Sequence, residues 1–130
     1  VKRLAAAVLV GLCACAPSLR YRMPASLHSY RILVPVRDSL NEALAQALHQ
    51  HGVRVERRVR GGSAPAAALI HFTYRDQQGG VSWMLVRLAD TRTGVIVGET
   101  ALRLDSLPPS GARQAEAILD SLGFTRRPTP

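Results

Sequence analysis

The feature that most constrains this chain is a change of hydrophobic period. Leu40, Ala43, Leu44, Ala47 and Leu48 recur at i, i+3, i+4, i+7 and i+8, which makes one continuous apolar stripe on a helix. On either side of that stripe the period falls to two. Before it, Ile32, Val34 and Val36 share a face of a short strand, with Pro35 near its end or on a sheet edge. After it, Val53, Val55 and Val59 alternate with Arg54, Glu56, Arg58 and Arg60, a second strand with one buried and one solvated face. Ser39 and Glu42 stand at capping-box spacing at the start of the helix, and Gly52 supplies its stop. Strand, helix and strand in this order form a βαβ unit.

Gly61-Gly62-Ser63-Ala64-Pro65 ends the second strand, and period two then resumes. Ala68, Ile70, Phe72 and Tyr74 alternate with Leu69, His71, Thr73 and Arg75, and the turn Asp76-Gln-Gln-Gly-Gly80 follows. Val81, Trp83 and Leu85 alternate with Ser82, Met84, Val86 and Leu88, so the two stretches pair as a hairpin. The turn Asp90-Thr-Arg-Thr-Gly94 leads into a last strand over Val95 to Leu104. Pro108-Pro109-Ser110 opens a final helix on which Ala112, Ala115, Ile118, Leu119 and Leu122 share a face, ended by Gly123. The order β-α-β-β-β-β-α predicts an α+β two-layer sandwich: a mixed sheet of four to five strands with both helices on one face. In this reading Trp83 points inward, and the other face carries Arg54, Arg58, His71 and Arg75.

The first residues say where such a domain sits. Lys2 and Arg3 precede the nine-residue apolar run Leu4 to Leu12, a charged n-region and h-region too short to span a bilayer. Leu12-Cys13-Ala14-Cys15 then resembles the bacterial lipobox, which has an aliphatic residue at minus three and a small one at minus one. The resemblance makes Cys15 the lipidated residue, because Leu12 before Cys13 is too bulky for the minus-one pocket. It implies a lipoprotein signal peptide over 1–14 and a Cys15 carrying palmitate-type acyl chains, several of which together anchor a chain stably. Ala16 follows, where Asp would be the inner-membrane retention signal of Gram-negative lipoproteins, so the implied location is the outer membrane, facing the periplasm. The expected organisation is a lipidated Cys and tether over 15–29, an α/β domain over 30–124 and a flexible tail over 125–130. The mature chain would hold no second Cys for a disulfide or a thiolate site.

Charge and chemistry narrow the function classes. The net charge of +8 comes from 17 cations, all arginine except Lys2, against 9 acids. That skew points to a GC-rich coding bias, since generic phosphate contacts work with either residue. The arginines are also spread along the chain, so no nucleic-acid partner is expected. The densest group is Arg54, Arg57, Arg58 and Arg60, and within it Arg54, Arg58 and Arg60 are the candidate residues for binding a polyanion. His49 and His51 point about 200° apart on a helix and cannot chelate from one face. His71 reads as a lone surface residue, Glu42 as a cap and Asp90 as a turn former. No nucleophile and base pairing, metal-ligand spacing or phosphate loop is evident. No enzyme activity, catalytic residue, cofactor or metal is therefore expected.

The stretch from Trp83 to Glu99, in which a strand runs into Leu-x-Asp-x-x-Thr-Gly and the next strand returns, resembles a recurring phrase of periplasmic lipoproteins. With the preceding strand, the amphipathic helix and its His-Gly-Val-Arg-Val exit, the pattern from Tyr30 to Phe124 is similar to a domain shared by three groups. These are the curli-secretion lipoproteins, the peptidoglycan-synthase activator lipoproteins and the N-terminal domain of TolB. The chain is shorter than those domains after its second strand. The lipopolysaccharide-assembly lipoproteins share a lipidated Cys followed by strand, helix and strands. The resemblance implies a non-enzymatic envelope protein, held to the membrane by its N-terminal lipid, that docks on a protein partner in an assembly, secretion or cell-wall synthesis machine. The alternative is a module for an envelope polyanion such as lipopolysaccharide or peptidoglycan.

Overall fold

The computed structural model describes residues 26–62 and 64–124. Cys15, the leader, most of the expected tether and the tail 125–130 lie outside the described residues. Five strands and two helices follow one another: β1 (Arg31–Leu33), α1 (Ser39–Gln50), β2 (Val55–Glu56), β3 (Ala66–Arg75), β4 (Ser82–Asp90), β5 (Ile96–Arg103) and α2 (Gly111–Leu122). The strands form one mixed sheet in the order β2-β1-β3-β4-β5. β1 is parallel to both its neighbours, and β3, β4 and β5 run antiparallel as a meander. The two helices pack on each other and on one face of this sheet. The architecture is the α+β two-layer sandwich that the period changes predict.

Both helices close the same way. At the end of α1 the Val53 amide donates to Leu48 O and the Gly52 amide to His49 O, each at 3.0 Å. At the end of α2 Phe124 donates to Leu119 O at 2.9 Å and Gly123 to Asp120 O at 3.1 Å. This is the Schellman pairing, and it places Gly52 (φ 76°) and Gly123 (φ 91°) in the left-handed region. In each case the next residue turns into the core, Val53 and Phe124 both being buried. The start of α1 differs from the capping-box reading. Asp38 is the N-cap, its carboxylate accepting from the Asn41 amide at 2.8 Å, and Ser39 is the first helical residue.

The strands of the βαβ unit are shorter than alternation predicts. β1 stops at Leu33; Val34 is still buried, but Pro35 brings no amide to a ladder and Val36 is exposed. β2 retains only Val55 and Glu56, because its partner β1 has ended, and Val59 is 82% exposed.

The phase of the sheet reverses the expected faces. Ala67 and Leu69 of β3, Met84, Val86 and Leu88 of β4 and Thr100 of β5 are buried beneath the helices, joined there by Ile32, Leu44, Leu48, Ile118 and Leu119. Register ties the choice together, Leu69 facing Leu88 and His71 facing Val86 across the β3–β4 ladder. His71, expected on the solvated face, is partly buried on the helix side, with Nε2 2.8 Å from Asn41 Oδ1. The opposite face therefore carries Ile70, Phe72 and Tyr74, which remain 46, 44 and 42% exposed. Trp83 and Leu85 stand beside them, paired with Tyr74 and Phe72. Trp83 is accordingly not an inward-pointing core residue.

Candidate functional site

The short β2 creates a strongly charged feature among the described residues. Ile32 N donates to Arg54 O and Val34 N to Glu56 O, both at 2.8 Å, which holds the strand beside β1. Beyond Glu56 there is no β1 left to pair with, and the backbone leaves the sheet while still carrying arginines at 57, 58 and 60. The result is an open hollow of about 930 Å³ lined by Arg31, Arg54, Glu56, Arg57, Arg58 and Arg60 among others. All three sequence candidates, Arg54, Arg58 and Arg60, thus reach one hollow. Each is exposed, and among the described residues none is in an ion pair.

Two further arginines line the hollow: Arg57, in the dense group but not among its candidates, and Arg31, which the sequence did not single out. Arg31 comes from β1, and its Nη1 donates to Glu56 Oε1 at 2.6 Å. Arg57 Nη2 donates to Glu42 Oε1 of α1. These pairs leave donors over: Arg31 Nε and Arg57 Nη1 are buried without an acceptor among the described residues. A buried donor without a partner is uncommon in a folded protein. The five guanidinium groups face two carboxylates, Glu56 and Glu42, so the hollow keeps a surplus of positive charge. Parallel pairing of the first two strands was the signal for Arg31, since it sets Ile32 opposite Val55.

Of the remaining candidates, all but His49 have structural partners among the described residues. His51 is the C-cap of α1, and its Nε2 lies 2.9 Å from Glu116 Oε2, tying the end of α1 to α2. His49 is exposed and lines the arginine hollow. His71 sits by Asn41 and, at 3.5 Å, by Asp38 Oδ2, while Asn41 Nδ2 donates to Pro35 O at 2.8 Å. This network fastens the start of α1 to the end of β1. Among the described residues no three His, Cys, Asp or Glu side chains are grouped as metal ligands. Asp90 is a turn former, as its position suggests. Its Oδ1 accepts from the amides of Arg92 and Thr93, and its Oδ2 accepts from the Tyr30 hydroxyl at 2.8 Å.

The sheet face that no described element covers is the second candidate surface. Phe72 and Tyr74 lie with ring centroids 6.4 Å apart, and the Phe72–Leu85 and Tyr74–Trp83 pairs extend the apolar area onto β4. Ile96 continues it onto β5 opposite Ala89, while the paired Arg87 and Glu99 interrupt it. Among the described residues no helix is long and apolar enough to cross a membrane. Compared with protein-family models, curated proteins and solved structures, the chain matches none.

Proposed function

We propose that this chain is a non-enzymatic, lipid-anchored protein of the outer membrane, facing the periplasm, whose domain docks on a protein partner in an envelope assembly, secretion or cell-wall synthesis machine. The leader and Cys15 motif support the anchor. The docking reading is carried by the uncovered face with Ile70, Phe72 and Tyr74 exposed. A soluble domain seldom leaves a contiguous aromatic and aliphatic face to water unless something covers it. The occupant is another envelope protein with an apolar surface of its own. Its test is a photo-crosslinking residue placed at Leu85 in intact Gram-negative cells, with Cys15→Ala as the anchor control. The expected result is one discrete adduct with an identified envelope protein, lost in Phe72→Asp while the circular dichroism spectrum is unchanged. Adducts only between copies of this chain, or an adduct that survives Phe72→Asp, would refute docking at this face. Mature protein lacking an acylated Cys15 would remove the anchor.

A second reading is favoured by the convergence of Arg54, Arg58 and Arg60 on one hollow. It makes the domain a module for an envelope polyanion, with the arginines as its contacts.

A further inference from the structure

We infer that the arginine-lined hollow at the β2 edge is a site for a phosphate ester. The phosphate would lie by the guanidinium groups of Arg31 and Arg57, and Arg54, Arg58 and Arg60 would hold the rest of an anionic ligand. This rests on the polyanion reading and goes beyond it by naming the chemistry and two residues absent from it.

Arg31 and Arg57 each give one terminal nitrogen to a carboxylate, Glu56 and Glu42 respectively, yet among the described residues Arg31 Nε and Arg57 Nη1 remain buried and without an acceptor. The carboxylates already present therefore do not complete either guanidinium. A phosphate offers three terminal oxygens and about two negative charges, and both arginines line the hollow, so a phosphate held there would supply acceptors that Glu56 and Glu42 do not. Guanidinium forks match that geometry.

Charge and size agree with a phosphate carried on a larger polar body. After Glu56 and Glu42 are set against five arginines, Arg54, Arg58 and Arg60 remain exposed and outside any ion pair among the described residues. The hollow, about 930 Å³ and open on one side, is wider than a bare ion needs. A phosphorylated sugar or lipid headgroup fits these dimensions. The smaller groove between α1 and α2, about 230 Å³, has no such charge surplus, its lining holding one arginine, Arg113, and one carboxylate, Glu116.

The test uses the full chain in detergent and titration calorimetry with inorganic pyrophosphate, with glucose 6-phosphate as a soluble ester. Vesicles of neutral lipid with and without phosphatidic acid form a third arm, and poly-glutamate is the carboxylate polyanion. The expected result is saturable binding of pyrophosphate and the phosphate ester, weakened at least tenfold by joint replacement of Arg54, Arg58 and Arg60 with Gln. Replacing Arg37, Arg75 and Arg113 with Gln removes the same charge elsewhere and should change it less than twofold. Arg57→Lys keeps the charge but not the fork, and should weaken binding several-fold. Retention on phosphatidic acid vesicles with weak binding of the soluble ester would identify a headgroup as the source; the reverse would identify a free ester. Equal binding by Arg57→Lys and the parent would overturn the site as a guanidinium fork. Poly-glutamate binding without pyrophosphate binding would overturn the phosphate assignment while leaving the polyanion reading standing. Failure of all the anions would sink both.

Discussion

Leu69 and Phe72 of β3 offer a direct trial of the sheet's phase, since the periodicity of the sequence alone places Phe72 inside. Leu69 is 3% exposed and faces Leu88 beneath the helices. Its replacement by Ala should cost about 3 kcal/mol, from lost transfer energy and a cavity that the packed helices cannot fully close. Phe72 is 44% exposed, so only part of the roughly 3 kcal/mol available from complete burial of such a side chain is realised. Water fills the space left by Phe72→Ala, no cavity term arises, and the cost should be about 1 kcal/mol. With a urea m-value of about 1–1.5 kcal/mol/M for a domain of this size, the gap of about 2 kcal/mol separates the two unfolding midpoints by roughly 1.5 M. Urea titration followed by circular dichroism and by Trp83 fluorescence measures both variants and checks that the probes coincide. A Phe72→Ala midpoint at or below that of Leu69→Ala would refute the assignment of faces.

Other predictions follow from single contacts. Gly123→Ala should destabilise by about 1–2 kcal/mol because Gly123 sits at φ 91°, whereas Gly111→Ala, with open space around it and no left-handed backbone, should be neutral or slightly stabilising; thermal melts compare them. Asp38→Ala should cost about 1 kcal/mol through loss of the α1 cap, and Ser39→Ala almost nothing, the reverse of what a Ser39 cap would give in the same melts. Tyr30→Phe removes the hydroxyl that donates to the buried Asp90 carboxylate and should cost about 1–3 kcal/mol by urea unfolding; a change below about 0.3 kcal/mol would mean that this contact carries no stability.

The helices were legible because each carries an apolar stripe and a glycine followed by an apolar residue, Gly52-Val53 and Gly123-Phe124, and those signals are local. The faces of the sheet were not. On β4 both alternating sets are apolar, Trp83 and Leu85 against Met84, Val86 and Leu88, so alternation leaves the phase open. On β3 the aromatic set looks like the core, yet His71 goes inward because Asn41 meets it there. The same division holds at the arginine hollow. Arg54, Arg58 and Arg60 are neighbours in sequence and visible as a group. Arg31 joins them only through the β1–β2 pairing, and Arg57 turns to Glu42 of α1 only once the helix has packed.

The interior position of β1, between β2 and β3, has a mechanical consequence. A pull on the chain ahead of Ser26, such as an anchored N-terminus would deliver, passes through the Leu27–Ser29 turn and the buried Tyr30 into a strand bonded on both flanks. An edge strand under such a load would peel away one hydrogen bond at a time. β1 must instead shear against β2 and β3 together, and the Tyr30 hydroxyl on Asp90 joins the load path to the far end of β4. Force therefore meets an interior strand first, and because its outer flank is the two-residue β2, the arginine hollow at that edge lasts only as long as β1 holds its place, while the apolar face of β3 and β4 lies beyond it.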